Sequence, residues 1–147
     1  MFAFTQAISI TRLETLSVNN CKLGDAGGIA IGDAISKSYH LKYVSARQNE
    51  LRDDAARSIA DGIRIGCHIV KLDLSNNLIN DAGGELIAES LQYNKSLERL
   101  NLSKNNLRVT SGAMFASSMK ANNIMKSLKL QDNCITNDFL SMIAHYI

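Results

Sequence analysis

Residues 69–96, IVKLDLSNNLINDAGGELIAESLQYNKS, contain the pattern that decides the fold. Apolar and polar residues alternate over residues 70–75, which predicts a short strand with one buried face. The apolar run that follows over residues 81–92 predicts a helix. Asp81 is the predicted N-cap, its carboxylate accepting hydrogen bonds from the free N–H groups of the first helical turn. The stretch therefore encodes a strand, a tight turn, a helix and a return loop.

This unit recurs along the chain with a period of 28 residues. Its first position is apolar in every copy, as Leu13, Leu41, Ile69, Leu97 and Met125. The fourth, sixth and eleventh positions are aliphatic, apart from the small Ala46, around which we expect looser packing. The cap position also recurs, as Asp25, Asp53 and Asp81, with Thr110 or Ser111 able to serve in the fourth copy. Agreement at so many positions indicates a true internal repeat.

The shared pattern LxxLxLxx(N/C)xL resembles the leucine-rich repeat. The 28-residue period and the helical second half are similar to the ribonuclease-inhibitor subtype. The resemblance covers residues 13–147 and implies an α/β fold, a right-handed leucine-rich-repeat solenoid or horseshoe segment. Strands sit about 4.8 Å apart whereas packed helices need about 8–10 Å, so a parallel sheet should line the concave face and helices the convex face.

The domain prediction is one leucine-rich-repeat domain over residues 1–147. Residues 1–12 form a partial leading repeat, and full repeats start at residues 13, 41, 69, 97 and 125. Because the chain begins and stops inside a repeat, we expect a fragment of a longer protein or a very short member of the class. A less favoured expectation is that an uncapped end pairs with another chain, since solenoids normally need polar caps.

The ninth position of each repeat carries a side chain that we predict to be structural. A buried Asn both donates and accepts, so stacked copies can satisfy the backbone groups of successive turns. Cysteine replaces Asn only weakly, which suits a unit near the end of the stack. The predicted ladder consists of Cys21, Asn49, Asn77, Asn105 and Asn133.

Composition excludes several classes of function. The net charge of +2 is too small for a dedicated nucleic-acid or membrane-surface binder, and no stretch approaches the roughly 20 apolar residues of a membrane span. Three cysteines at unlike positions argue against a disulfide framework and favour free thiols in the cytoplasm. They do not pair with the three histidines at metal-ligand spacing. We predict no metal site and no cofactor.

Side-chain alternation identifies the exposed inner surface, because the third, fifth and seventh positions of each repeat point away from the core. From these we predict a partner-binding set with the residue types that dominate binding hot spots. The set is Tyr43, Arg47, Lys71, Asp73, Arg99, Asn101 and Lys129. The alternative is a solvated sheet in which Asp73 simply pairs with Lys71 or Arg99. The face covers on the order of 300 Å², so a partner must also touch the adjacent loops.

The predicted function is a non-catalytic protein-interaction module or scaffold. Its partner would be a protein with an acidic surface, bound through the concave sheet and adjacent loops. No carboxylate pair, nucleophile–histidine set or metal cluster falls on one exposed face, so we predict no catalytic residues and no enzyme activity. The alternative is a regulator of an enzyme, such as a GTPase-activating protein of the Ran type. Nucleic-acid and membrane partners are not predicted, and self-association through uncapped solenoid ends stays open.

Overall fold

The computed structural model describes residues 6–7, 12–66 and 68–136. In this part of the chain, five short strands alternate with four helices. The strands are β1 (Thr15–Ser17), β2 (Tyr43–Ser45), β3 (Lys71–Asp73), β4 (Arg99–Asn101) and β5 (Ser127–Lys129). The helices are α1 (Gly24–Lys37), α2 (Asp53–Ile65), α3 (Asp81–Tyr93) and α4 (Val109–Ala121). The predicted fifth helix, over residues 137–147, and most of the partial leading repeat lie outside the described residues.

The five strands form one parallel sheet in chain order, which confirms the predicted fold class. Each strand pairs with the next at an offset of one whole repeat, so that Leu16 lies opposite Val44 and Leu72 opposite Leu100. The same position of every repeat therefore lies in one row across the sheet. This register makes the sheet a set of rows whose chemistry can be compared repeat by repeat.

The core lies between the sheet and the helices and is best covered in the middle of the stack. Leu74, Ile79, Ile87 and Leu91 of the third repeat are fully buried. Burying each such side chain contributes about 1.5–3 kcal/mol to the free energy of unfolding. At the start of the stack, by contrast, Leu13 is exposed. Burial thus falls from the central repeat toward the first one.

Glycine allows helices α1 and α2 to approach closely. A Cβ atom built on Gly32 would lie 2.4 Å from the carbonyl carbon of Ser58, on the backbone of α2. One built on Gly28 would lie 2.2 Å from the Cβ of Ala55. Since backbone atoms cannot move aside as a flexible side chain does, the close packing of this helix pair requires glycine at position 32.

The ninth-position asparagines join each turn to the next. Asn77 Oδ1 accepts hydrogen bonds from the backbone N–H groups of Asn49, at 2.9 Å, and Leu51, at 3.1 Å. Its Nδ2 donates to the backbone carbonyls of Ala46, at 3.0 Å, and Leu74, at 2.9 Å. Equivalent bonds link Asn49, Asn105 and Asn133 to the repeats before them. Each amide therefore satisfies the backbone of two successive turns.

Cys21 stands at the first rung of this ladder but does not bridge repeats through its side chain. Its thiol is exposed and lies 3.2 Å from the carbonyl oxygen of Asn19, in its own turn. Its backbone N–H donates to Asn49 Oδ1 at 2.9 Å. The first turn is thus tied to the second by Asn49 and by other groups, such as the Asn20 N–H that donates to the Arg47 carbonyl at 2.9 Å, and not by the Cys21 thiol.

A second set of polar side chains, absent from the sequence-based predictions, supports the return loops. Asn94 Nδ2 donates to the carbonyl of Ile63 in the preceding repeat at 2.7 Å, and its Oδ1 accepts from the Leu97 N–H at 2.7 Å. Asn122 makes the corresponding bonds one repeat later. The two asparagines are 28 residues apart, so their equal repeat position was the signal that could have found them.

The predicted N-caps are wrong, because each aspartate caps the helix of the next repeat. Asp81 is the first residue of α3, and Asn80, which precedes it, makes no side-chain cap bond. Asp81 Oδ1 instead accepts from the N–H groups of Arg108, at 2.6 Å, and Ser111, at 3.3 Å, at the start of α4. Asp25 and Asp53 cap α2 and α3 in the same way.

The capping partners differ from the prediction because each helix start lies beside the helix start of the next repeat. Stacking brings consecutive helix starts close enough for a carboxylate on one to reach the free N–H groups of the next. Ser111, a predicted cap of the fourth helix, donates its hydroxyl hydrogen to Asp81 Oδ1 at 2.6 Å instead. The capping bonds therefore hold repeats together as well as ending helices.

The ladder predicts a large loss of stability when one rung is removed. Asn77→Ala leaves buried N–H and carbonyl groups without partners, and we expect the free energy of unfolding to fall by about 3 kcal/mol. Asn106→Ala is the matched control, because the Asn106 side chain is exposed, and should change it by less than about 0.5 kcal/mol. Urea unfolding followed by circular dichroism measures both values. Equal effects would contradict a structural role for the buried amide.

The Asp81 cap predicts a pH dependence. Burial raises the pKa of this carboxyl, but four hydrogen bonds, led by those from the Ser111 hydroxyl and the Arg108 N–H, outweigh burial and lower the pKa below its ordinary 3.8. Ionised Asp81 then stabilises the fold above pH 3.8, and this contribution disappears as pH falls through the lowered pKa.

We therefore expect the stability difference between the native chain and Asp81→Asn to be constant above about pH 5 and to shrink in acid. Urea unfolding at several pH values measures this difference. Asp54→Asn, an exposed change in the first turn of α2, serves as the control. A difference that stays constant down to the most acidic pH at which the chain folds would refute the charge-dependent cap.

Candidate functional site

The exposed face of the sheet lines a hollow of about 450 Å³. Side chains from all five strands contribute to it, and the in-register rows place them next to one another. Six of the seven predicted partner-binding residues line this hollow, namely Tyr43, Lys71, Asp73, Arg99, Asn101 and Lys129. Arg47, the seventh, does not line it and lies beyond the end of β2, exposed. The hollow is called the sheet groove below.

One row of the sheet groove brings an aromatic ring and two cations together. Tyr43 lies opposite Lys71, and Lys71 lies opposite Arg99. The Lys71 ammonium nitrogen is 5.1 Å from the centre of the Tyr43 ring, within the range of a cation–π contact. Lys71 therefore leans toward Tyr43 and covers its ring.

Asp73, the acidic residue of the groove, contacts residues other than Lys71 and Arg99. Its Oδ1 accepts from the Ser75 N–H at 2.9 Å, and its Oδ2 accepts from Asn101 Nδ2 at 3.3 Å. Arg47 Nε lies 3.9 Å from the same Oδ2. Among the described residues, Asp73 forms no ion pair with Lys71 or Arg99, because these contacts hold the carboxylate toward the end of the strand.

Ser75 differs from its prediction as well. Alternation placed it on the exposed face, but it is only 3% exposed. Strand β3 ends at Asp73, and Asn76 already has a left-handed backbone with φ of 56°. The equivalent Arg47 also follows the end of its strand but is exposed, so the burial of Ser75 depends on its own neighbours and not on the strand end alone.

The groove is polarised from one end to the other. On the β1–β2 side, Ser45 donates to Asn19 Oδ1 at 2.7 Å and Asn19 Nδ2 donates to Ser17 at 3.1 Å, so uncharged polar groups satisfy one another. On the β3–β5 side, Lys71, Arg99 and Lys129 form no ion pair within the part of the chain that the structure describes. The face therefore carries uncompensated positive charge at one end.

A second hollow of about 200 Å³ follows the carboxyl ends of the first three strands. It is lined by Asn20, Lys22, Gln48, Glu50, Asn76, Asn77 and Leu78. Lys22 and Glu50 have φ of 49° and 60°, a left-handed conformation that is uncommon for such residues. This hollow, the loop groove, lies in the adjacent loops that a partner is predicted to touch. The left-handed turns at Lys22 and Glu50 are not part of that prediction, because neither residue type signals such a turn.

The histidines and cysteines that the structure describes lie apart from the sheet groove and in different surroundings. His68 packs edge-on against Tyr39, with ring centres 5.5 Å apart. Within the described ranges, no three potential metal ligands cluster, and Cys67 and His145 fall outside those ranges. Cys21 and Cys134 are free and exposed thiols. None of the described helices is both long and apolar enough to cross a membrane.

The repeat geometry agrees with a family model described as a leucine-rich repeat, which matches residues 10–32, 67–88, 93–116 and 121–144, more than half of the chain. The chain belongs to the leucine-rich repeat family. The matched ranges leave out residues 33–66, which contain Ala46, yet this residue is fully buried and β2 and α2 keep the common register. We expected looser packing around Ala46, but the full burial of this residue gives no sign of it.

Solved structures show where this fold is found. The chain superposes on the structure of leiomodin-1 actin-binding site 2 with a TM-score of 0.84 and 16% identity, covering 98% of this chain and 85% of the other. It also superposes on a tropomodulin C-terminal domain from Caenorhabditis elegans with a TM-score of 0.84 and 12% identity, covering 99% and 89%. Comparison with curated protein sequences gives no match. At these identities the likeness establishes the fold alone.

The contacts in the groove predict which of its residues matter for folding. Asp73→Ala removes the acceptor of the Ser75 N–H and the Asn101 amide, and we expect it to lower the free energy of unfolding by about 1 kcal/mol. Arg99→Ala, in the next strand, removes an exposed cation that forms no ion pair among the described residues, and should change the free energy of unfolding by less than about 0.5 kcal/mol. Urea unfolding of both variants tests this. A loss of more than about 1 kcal/mol for Arg99→Ala would show a structural role.

Proposed function

We propose that this chain is a non-catalytic protein-interaction module whose sheet groove and adjoining loops bind an acidic surface of a protein partner. The observation that carries the proposal is the uncompensated positive charge of Lys71, Arg99 and Lys129 in the groove. The nearby carboxylate of Asp73 does not neutralise it, because Asp73 contacts Arg47 and Asn101 instead. Opposite charge on a partner speeds association and selects among partners.

The size of the face requires a second contact surface. A stable interface buries about 800 Å² on each partner, whereas the sheet face offers on the order of 300 Å². The loop groove adds polar groups and the partly exposed side chain of Leu78 at the carboxyl ends of the strands. A folded partner would therefore contact both grooves.

Actin is a reasonable first protein to test, because one of the similar structures is that of an actin-binding site. The proposal does not depend on actin, since the likeness concerns the fold. We place the module in the cytoplasm, where exposed thiols such as Cys21 and Cys134 stay reduced.

Charge reversal in the groove tests the proposed binding face. We expect Lys71→Glu combined with Arg99→Glu to weaken partner binding at least about tenfold, because two attractive contacts become repulsive. Lys95→Glu combined with Lys120→Glu is the matched control. Both lysines are exposed and outside the sheet groove, Lys95 in a return loop and Lys120 in the last turn of α4. Circular dichroism confirms that each variant is folded.

Two measurements are suitable. Purified filamentous actin can be sedimented with each variant, and partners captured from cell extract at about 150 mM salt can be compared between variants by mass spectrometry. A partner retained by the native chain and by the control, but lost from the groove variant, supports the proposal. If every partner is retained equally by both double variants, binding does not use the sheet groove.

A further inference from the structure

The sheet groove has the dimensions of a short extended peptide. Its five strands are separated by four spacings of about 4.8 Å, so the first and last strand lie about 19 Å apart. An extended chain rises about 3.3–3.4 Å per residue, so about six residues cross the whole groove. Such a segment directs alternate side chains toward the sheet. Thus the groove by itself, without the loop groove, is large enough for a linear segment although it is too small for a folded surface.

The cations of the groove are spaced for two acidic side chains. Lys71 and Arg99 are direct neighbours across β3 and β4. Lys129 lies on β5 opposite Asn101, so it is diagonal to Arg99, one strand across and two residues further along the strand. Neighbouring like charges repel, and an anion seated between them relieves that repulsion. One anion fits between Lys71 and Arg99 and a second between Arg99 and Lys129. Their separation is about one strand spacing or slightly more, roughly 5–7 Å, close to the i to i+2 distance in an extended chain.

Tyr43 adds an apolar contact at the next strand. Its ring is covered by the Lys71 ammonium group at 5.1 Å. An acidic side chain between Lys71 and Arg99 competes for that ammonium group and draws it off the ring. The uncovered ring then faces the residue two places away from the first acidic residue, and an aromatic ring favours an apolar partner there.

Building on the proposed protein-binding function, we propose that the sheet groove recognises a linear motif of the form apolar-x-acidic-x-acidic, lying across strands β2 to β5. The first acidic residue binds Lys71 and Arg99, the second binds Arg99 and Lys129, and the apolar side chain packs on Tyr43. The β1 side contributes no charge to recognition, because Ser17, Asn19 and Ser45 are uncharged, and these residues are hydrogen-bonded to one another.

Fluorescence anisotropy with labelled synthetic peptides tests this motif. The probe is a peptide with the core Leu-Ser-Glu-Ser-Glu between Gly-Ser flanks, together with the reversed core, because the groove fits either chain direction. The comparison peptides replace both Glu by Gln, or keep the composition and place the two Glu side by side. We expect at least one of the two core orders to bind at least about tenfold more tightly than either comparison peptide.

Protein variants locate the binding site of the probe. Arg99→Gln should weaken probe binding about tenfold or more, since Arg99 contacts both acidic residues, and Lys129→Gln should weaken it less. Lys120→Gln, the same charge change on α4 outside the groove, should leave binding unchanged. Tyr43→Ala should weaken the Leu-containing probe more than a probe with Ser in place of Leu, which isolates the apolar contact as in a double-mutant cycle.

The outcomes separate this inference from the proposed function. If no peptide binds more tightly than its Gln counterpart, or if Lys120→Gln weakens binding as much as Arg99→Gln, the motif is wrong. In that case loss of a protein partner from the Lys71→Glu and Arg99→Glu double variant still supports the proposed function. If neither the probes nor any protein partner depends on groove charges, both proposals are overturned.

Discussion

The hydrogen bonds of the buried ninth-position amides are the interaction on which the rest of the structure depends. Each chain turn that leaves a strand must satisfy backbone groups that have lost their sheet partners, and water cannot reach them there. Asn77 meets this requirement for its own turn and for the one before it, with two accepted and two short donated bonds. The requirement recurs every 28 residues, and it sets the register of the sheet at one whole repeat.

Capping follows the same principle of joining neighbours. Asp25, Asp53 and Asp81 each satisfy the helix start of the following repeat, and Asn94 and Asn122 each bind a carbonyl of the preceding one. Polar contacts and apolar stacking therefore both act between adjacent repeats. A repeat in the middle gains from two neighbours, which agrees with the full burial of Ile79 and Ile87 and with the exposure of Leu13.

The same bonding between repeats explains the chemistry of the exposed face. The backbone is satisfied from the core side, so outward side chains such as Lys71, Arg99 and Lys129 are not needed for folding. Asp73 and Asn101 differ from them, because they accept hydrogen bonds from the Ser75 and Ser103 N–H groups. Asp73 serves the turn after β3 through the Ser75 N–H, and Asn101 and Arg47 surround its other oxygen. The Asp73 carboxylate therefore does not neutralise the charges of Lys71 and Arg99. The positive groove is a consequence of that structural use of the acidic residue.

The sequence by itself determined the repeat, the strand and helix order and the membership of the core, because these depend on periodic burial and the period is constant. It also placed Tyr43, Lys71, Arg99 and Lys129 on one face, since alternation is a local property of an extended chain. Which neighbours Asp73 binds, which helix Asp81 caps and how far Ser75 is buried were decided only by the tertiary structure. Each depends on the distance between groups of adjacent repeats, and local sequence patterns do not contain that quantity.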